Sequence, residues 1–95
     1  MTWSFDQDKN VAALITKQVV DQGLPILQVI HYSDDHSWAF MCGTTSNPSD
    51  TLVISMEQAV SFDVSLYEIA TMPPGCIASR NSVKESWVCE KIDDI

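Results

Sequence analysis

Ninety-five residues with 13 Asp+Glu against 5 Lys+Arg give a net charge of −8 and a pI near 4.3, a length that fits one domain, residues 1–95. From Gln18 to Ser79, 62 residues carry seven acids and no Lys or Arg. A nucleic-acid partner is therefore not expected, because phosphate contacts supply most of that affinity, and neither is an anionic membrane surface.

Hydrophobic residues make up 45% of the chain, which sets it apart from a disordered acidic tail. The apolar runs are too short to span a bilayer. The N-terminus, Met-Thr-Trp-Ser-Phe-Asp, has neither a basic region nor a long apolar stretch, so no signal peptide is expected. Cys42, Cys76 and Cys89 are odd in number and widely spaced. That favours three free, buried thiols in a reducing cytoplasm over a disulfide framework. Residues 1–10 and 91–95 are polar or acidic and are expected to be loosely ordered.

The first segment admits two readings. Val11, Leu14, Ile15 and Val19 stand at helical spacing, with Asp6 or Asp8 as caps and Gly23 as a stop. Val11–Ile15 reads equally as a short buried strand, with Thr16 capping a helical turn from Lys17 to Gln22. Ile26–Tyr32, β-branched and apolar on both alternating faces, predicts an internal strand. Ser33–Ser37 is a turn by composition, and Trp38–Cys42 returns as the second strand of a hairpin that stops at Gly43. Thr44–Asp50 is a polar loop containing Asn47-Pro48. Thr51–Ile54 is a further strand.

Ser55-Met-Glu-Gln58 has the pattern of a capping box, and Met56, Ala59 and Val60 form the apolar side of a short helix. Asp63 is a second N-cap, ahead of Leu66, Ile69 and Ala70. Pro73-Pro74-Gly75 ends that helix. Cys76–Arg80 and Ser86–Glu90 flank a polar turn and predict a final hairpin, before a frayed acidic tail. The expected fold is α+β: a mainly antiparallel sheet of about five strands, with two short helices between the third strand and the final hairpin, covering one face.

Chemistry is sparse. His31, His36, Cys42 and the Asp34-Asp35 pair are the one local group of metal-ligand types, but their spacing fits no zinc pattern and a solvated hairpin tip is the stronger reading. A nucleophilic cysteine needs positive surroundings that Cys42 and Cys76 lack, and Cys89 is flanked by Glu90. No nucleophile elbow, P-loop or glycine-rich phosphate cradle is present. Trp38 and Trp87 fall in strands as core residues. Trp3 is either partly exposed or a clamp of the N-terminus onto the sheet.

Pro25-Ile-Leu-x-Val, then Asp34-Asp35-x-x-Trp38-x-Phe-x-x-Gly43, then Asp63-x-Ser-Leu-x-x-Ile-Ala-x-x-Pro-Pro-Gly75 with Ala78-x-Arg80 and Trp87, resembles a small bacterial family of uncharacterised α+β domains. The likeness covers roughly Leu14 to Val88. Related domains are proposed immunity proteins of polymorphic toxin systems. The family has no established active site, so the likeness implies a fold and a class of partner, and no functional residue. It favours the strand reading of Val11–Ile15. Cys76 departs from it, standing where Trp is common after the Pro-Pro-Gly turn.

The leading expectation is a non-enzymatic acidic domain that binds and occludes a basic protein, through Asp34, Asp35, His36 and Asp50, with no cofactor and no metal. The plain competitor is an acidic charge that only keeps a small protein soluble. A third reading is small-molecule sensing or a minor Cys/His-based enzymatic role. An open sheet edge offers a route to a homodimer.

Overall fold

The computed structural model describes residues 3–43 and 48–92. The Asn47 side of the polar loop, Met1-Thr2 and the last three residues of the acidic tail lie outside the described residues. Six strands are present: β1 (Ala12–Thr16), β2 (Gln28–His31), β3 (Trp38–Met41), β4 (Thr51–Ser55), β5 (Cys76–Ser79) and β6 (Val88–Lys91). Two α-helices, α1 (Lys17–Gln22) and α2 (Met56–Ser61), and a 3₁₀ segment, Val64–Ile69, complete the layer above them. The fold is α+β, as the pattern of elements implies.

The two readings of the first segment are separated in favour of the strand. Thr16 is the N-cap of α1, but its side chain makes no capping bond. Its hydroxyl accepts from the Cys42 amide at 3.2 Å and approaches the Met41 sulfur at 3.2 Å, so it ties β1 to β3 instead. Gly23, at φ 69°, closes α1 in the left-handed region where a Cβ is costly.

The sheet order is β4-β1-β3-β2-β5-β6. All neighbours are antiparallel except β1 and β3, which run parallel with Leu14 opposite Ala39 and Ile15 opposite Phe40. The sheet is therefore mixed and six-stranded, against the expected five. The chain leaves β1 through α1 and returns in β2 one position beyond its neighbour. The β2–β3 hairpin then folds β3 back into the gap. Local hairpin signals predict antiparallel pairs but carry no information on such an insertion.

Side chains alternate across the sheet, and one face is the core. Ile15, Phe40, Trp38, Val29 and Ala78 point there and are 0% exposed. Val19, Met56, Ala59, Val60, Leu66 and Ile69 pack onto them from the helical layer. Residues around Phe5, expected to be loosely held, lie against this core: Phe5 is 7% exposed, 5.0 Å from the Trp38 ring and 5.3 Å from Trp3. Trp3 thereby takes the clamping role, with its Nε1 donating to the Gln7 carbonyl at 2.8 Å.

Both expected caps of the helical layer are formed. In α2 the Ser55 hydroxyl accepts from the Gln58 amide at 3.1 Å while the Gln58 side chain accepts from the Ser55 amide at 3.1 Å. Asp63 accepts from the Ser65 amide at 2.9 Å. The segment after Asp63 winds as a 3₁₀ turn series where an α-helix was expected, and Pro73-Pro74 leaves it no length to extend.

Asp63 has a second task. Its other oxygen accepts from Arg80 Nη2 at 2.5 Å. The Arg80 side chain is 2% exposed. Its Nε and Nη2 also donate to the Ile26 carbonyl at 3.2 and 2.9 Å, and Nη1 donates to the Ser65 hydroxyl at 3.1 Å. Trp87 covers the guanidinium, 4.0 Å from carbon to ring centroid. Burial pushes the Asp63 carboxyl up, but hydrogen bonds from Ser65 and Arg80 and the Arg80 charge outweigh it and hold the carboxyl below its ordinary value.

A carboxyl depressed in the folded state stabilises the fold above the unfolded-state pKa, near 4, and that contribution is lost as pH falls through the folded value. Thermal unfolding followed by circular dichroism should therefore show a steep loss of Tm below about pH 4. Asp63→Asn should flatten that dependence. Asp63→Ala, which leaves a buried guanidinium unpaired, should lower stability by about 3–5 kcal/mol at pH 7. A wild-type Tm that stays level from pH 5 to pH 2.5 would contradict the role given to this pair.

Candidate functional site

The β2–β3 turn carries three of the four acidic-patch residues expected from sequence. Asp34, Asp35 and His36 are all exposed there. The turn is built by its own side chains: Asp34 accepts from the Asp35 amide at 2.8 Å and Asp35 from the Ser37 amide at 2.9 Å. Tyr32 N–H to the Ser37 carbonyl, 2.9 Å, closes it. His36 supplies a left-handed residue at φ 60°, a conformation that His tolerates better than most non-glycine residues. Hydrogen bonds from Ser37 hold Asp35 below the usual carboxylate range, so the turn keeps its negative charge.

Asp50, the fourth residue, is at the other end of the sheet. It precedes Thr51, which pairs with Thr16, and Thr16 lies beyond the Ile15–Phe40 pair on the Met41 side. The β2–β3 turn leaves from the His31–Trp38 side. The fold therefore brings Asp34, Asp35 and His36 together and keeps Asp50 apart from them.

What the fold adds at the turn is the N-terminal segment. Gln7 Nε2 donates to the His36 carbonyl at 2.9 Å, and Asp6 and Asp8 on either side of Gln7 are both exposed. Asp6 also reaches inward. Its Oδ1 accepts from Trp38 Nε1 at 2.9 Å and its Oδ2 lies 3.1 Å from His31 Nε2 and 4.0 Å from His36 Nδ1. His31 is 2% exposed, stacked on Trp38 at 3.9 Å, and its Nδ1 donates to the Met72 carbonyl at 2.8 Å. Asp6 carried no functional signal in the sequence beyond a capping role. Its contacts lie 25 and 32 residues away, a separation no local pattern reports.

Several chemical readings can be placed on this geometry. His31 has both ring nitrogens engaged, on the core face. Cys42 is 1% exposed at the far end of β3. Among the described residues no group of three or more His, Cys, Asp or Glu is disposed to hold a metal ion. Only Cys42 is buried as expected; Cys76 is half-buried and Cys89, on the edge strand β6, is exposed, yet partial desolvation, with Cys76 beside it, raises the Cys89 thiol, which therefore does not ionise readily. A cavity of about 390 Å³ lies beside Arg80, lined in part by Phe62, Asp63 and Val83. The Arg80 charge is already matched by Asp63, so the cavity offers no free cation to an anionic ligand. No described helix is long and apolar enough to cross a membrane.

No family model, curated protein or solved structure matches this chain. The site is therefore read from its own geometry. That geometry is a negatively charged end of a sheet: Asp34 and Asp35 in the turn, Asp6 and Asp8 beside it, with Lys9 drawn to Glu57 at 3.9 Å.

Asp6 anchors this end, and its removal is testable. Asp6→Ala leaves the indole N–H of Trp38, a residue 0% exposed, without its acceptor. The expected cost is about 1–3 kcal/mol in urea unfolding, whereas Asp6→Asn, which keeps an acceptor oxygen, should lose less than half of that. Equal losses for the two variants would show that the Trp38 bond is not what Asp6 contributes.

Proposed function

We propose that this protein is a non-enzymatic binding domain of the immunity type, which holds a basic protein partner against the acidic end of its sheet and occludes it. The observation that carries the reading is the gathering of Asp6, Asp8, Asp34 and Asp35, all exposed, around one turn whose conformation is set by hydrogen bonds before any partner arrives. A preformed turn loses little conformational freedom on binding. Clustered like charge steers a cationic partner and raises its rate of association.

The distribution of cations supports the same reading. Arg80, the first Lys or Arg after the long span without one, is buried and paired with Asp63, so it does not offset the surface charge. Lys17, Lys84 and Lys91 are remote in sequence from the turn, and Lys9, next to Asp8, is drawn to Glu57 at 3.9 Å. Asp50 belongs to the opposite end and has no part in this contact.

The experiment is affinity capture with the purified chain against the protein encoded beside it, followed by titration. Binding should weaken at least tenfold between 50 and 200 mM salt. Asp34→Asn with Asp35→Asn should weaken it about tenfold, mainly through a slower association rate, while Asp50→Asn should change it less than twofold. Stoichiometric binding that is indifferent to salt and to the two turn aspartates would exclude the acidic end as the contact.

A further inference from the structure

We infer that Cys76 and Cys89, with Met72 beside them, form a binding site for a soft monovalent cation of the copper(I) class. The register pairs Cys76 with Lys91 and Ala78 with Cys89. Cys76 and Cys89 are therefore diagonal neighbours on one face of the β5–β6 pair, the face on which Ala78 is buried in the core. The Ile92 amide donates to the Gly75 carbonyl at 2.7 Å and carries this pairing past Cys76. Met72, 6% exposed, lines the same cavity of about 280 Å³ as the two cysteines, between the edge strand and the end of the 3₁₀ segment. Its position is fixed from β2. His31, opposite Cys76, donates from Nδ1 to the Met72 carbonyl at 2.8 Å. One residue thus sets Met72 beside the strand that carries Cys76.

Spacing decides between a direct bond and a bridge. Diagonal neighbours across an antiparallel pair are about 7–8 Å apart at Cα, whereas a disulfide closes over about 4.4–6.8 Å. A cation about 2.3 Å from each sulfur lets the two sulfurs stand up to ~4.6 Å apart, which suits the diagonal. Donor type selects the ion. Thiolate and thioether ligands favour copper(I) over hard cations. A monovalent ion with a filled d shell is satisfied by two or three such donors, whereas structural zinc takes four. No fourth donor is at hand. Both ring nitrogens of His31 are engaged, and among the described residues no three of His, Cys, Asp and Glu converge. Glu68 and Glu90 line the cavity with one cation, Lys91, so its charged groups sum to a negative value, as does the whole chain at −8. Cys89 is exposed, which gives the ion a way in.

Binding exchanges protons for the metal and moves no electron. Each thiol gives up its proton as its sulfur bonds the ion, so two thiols and one copper(I) yield a bis-thiolate complex of charge −1 and two free protons. The Met72 thioether adds a neutral donor with no proton to lose. The ion would also tie the edge strand β6, exposed along its length, to β5 and the helical layer. Binding is thereby linked to the stability of the fold.

This site uses none of the aspartates of the acidic turn and stands apart from the proposed function. The test is a titration of the reduced full chain with copper(I), free of oxygen, in competition with the coloured chelator bicinchoninate. Native mass spectrometry should show one ion per 10.6 kDa chain. One equivalent should protect Cys76 and Cys89 from alkylation and leave Cys42, 1% exposed, as unreactive as before. Cys89→Ser, at an exposed position whose folding a circular-dichroism melt verifies, should weaken binding about a hundredfold, as should Cys76→Ser. Met72→Leu keeps the buried volume and should cost about tenfold. Cys42→Ala should leave the affinity unchanged. Copper(I) should raise the Tm of the wild type and not that of Cys89→Ser. Zinc(II) in about tenfold excess should not displace it. Copper that stays with bicinchoninate, an ion shared between two chains, displacement by zinc, or binding that survives Cys89→Ser overturns the inference. Affinity indifferent to Met72→Leu overturns the part given to the thioether.

Discussion

Arg80 is the residue on which the helical layer depends. One buried guanidinium gathers the entry to β2 through the Ile26 carbonyl, the start of the 3₁₀ segment through Asp63 and Ser65, and the approach to β6 through Trp87. None of these elements is long enough to be stable alone; the two helices are six residues each, well short of an independently stable helix. Their order comes from packing, and the ion pair specifies where that packing begins. A buried pair of this kind adds little net stability over an apolar substitute, but it is expensive to break, which makes it a device for position.

The opposite end of the same segment is tied as well. Residues 63–72 run from the Asp63–Arg80 pair to the Met72 carbonyl, which accepts from His31. Arg80 follows Ser79, which pairs with Gln28 at one end of β2, while His31 is at the other. The segment is thus pinned at both ends of β2 and held down between them by Leu66 and Ile69. Asp6 extends the second tie outward, from His31 and Trp38 to the surface. The acidic turn sits on this anchor. Structural and surface roles of the carboxylates are in this way divided: Asp63 is consumed by the fold, Asp6 serves both, and Asp34 and Asp35 shape a turn and remain exposed.

The two faces of the sheet differ in kind. One is covered by three short elements and the N-terminal segment; the other leaves Val53 and Val88 exposed, although its central row is apolar. The acidic turn borders the second face, where Gln7 and Asp35 line one cavity with Leu14 and Val53.

Much of the local structure was legible in the amino-acid order. Alternation in Ile26–Tyr32 and Trp38–Cys42, the Ser55–Gln58 capping box, the cap at Asp63 and the Pro-Pro-Gly stop are each decided within a few residues, by backbone geometry and by nearby donors and acceptors. The lack of Lys and Arg across 62 residues likewise established the electrostatic character. The tertiary structure alone decided which distant groups meet. The parallel insertion of β3 beside β1, the pairing of Asp63 with Arg80, the reach of Asp6 to His31 and Trp38, and the separation of Asp50 from the turn all depend on contacts between segments remote in the chain. So does the apolar row, since Leu14, Ala39, Ile30 and Ile77 become neighbours only when the strand register aligns them. Period and composition set which way each side chain faces along its own strand, but the register between strands follows from the packing of the whole layer, and the surfaces available to partners follow from the register.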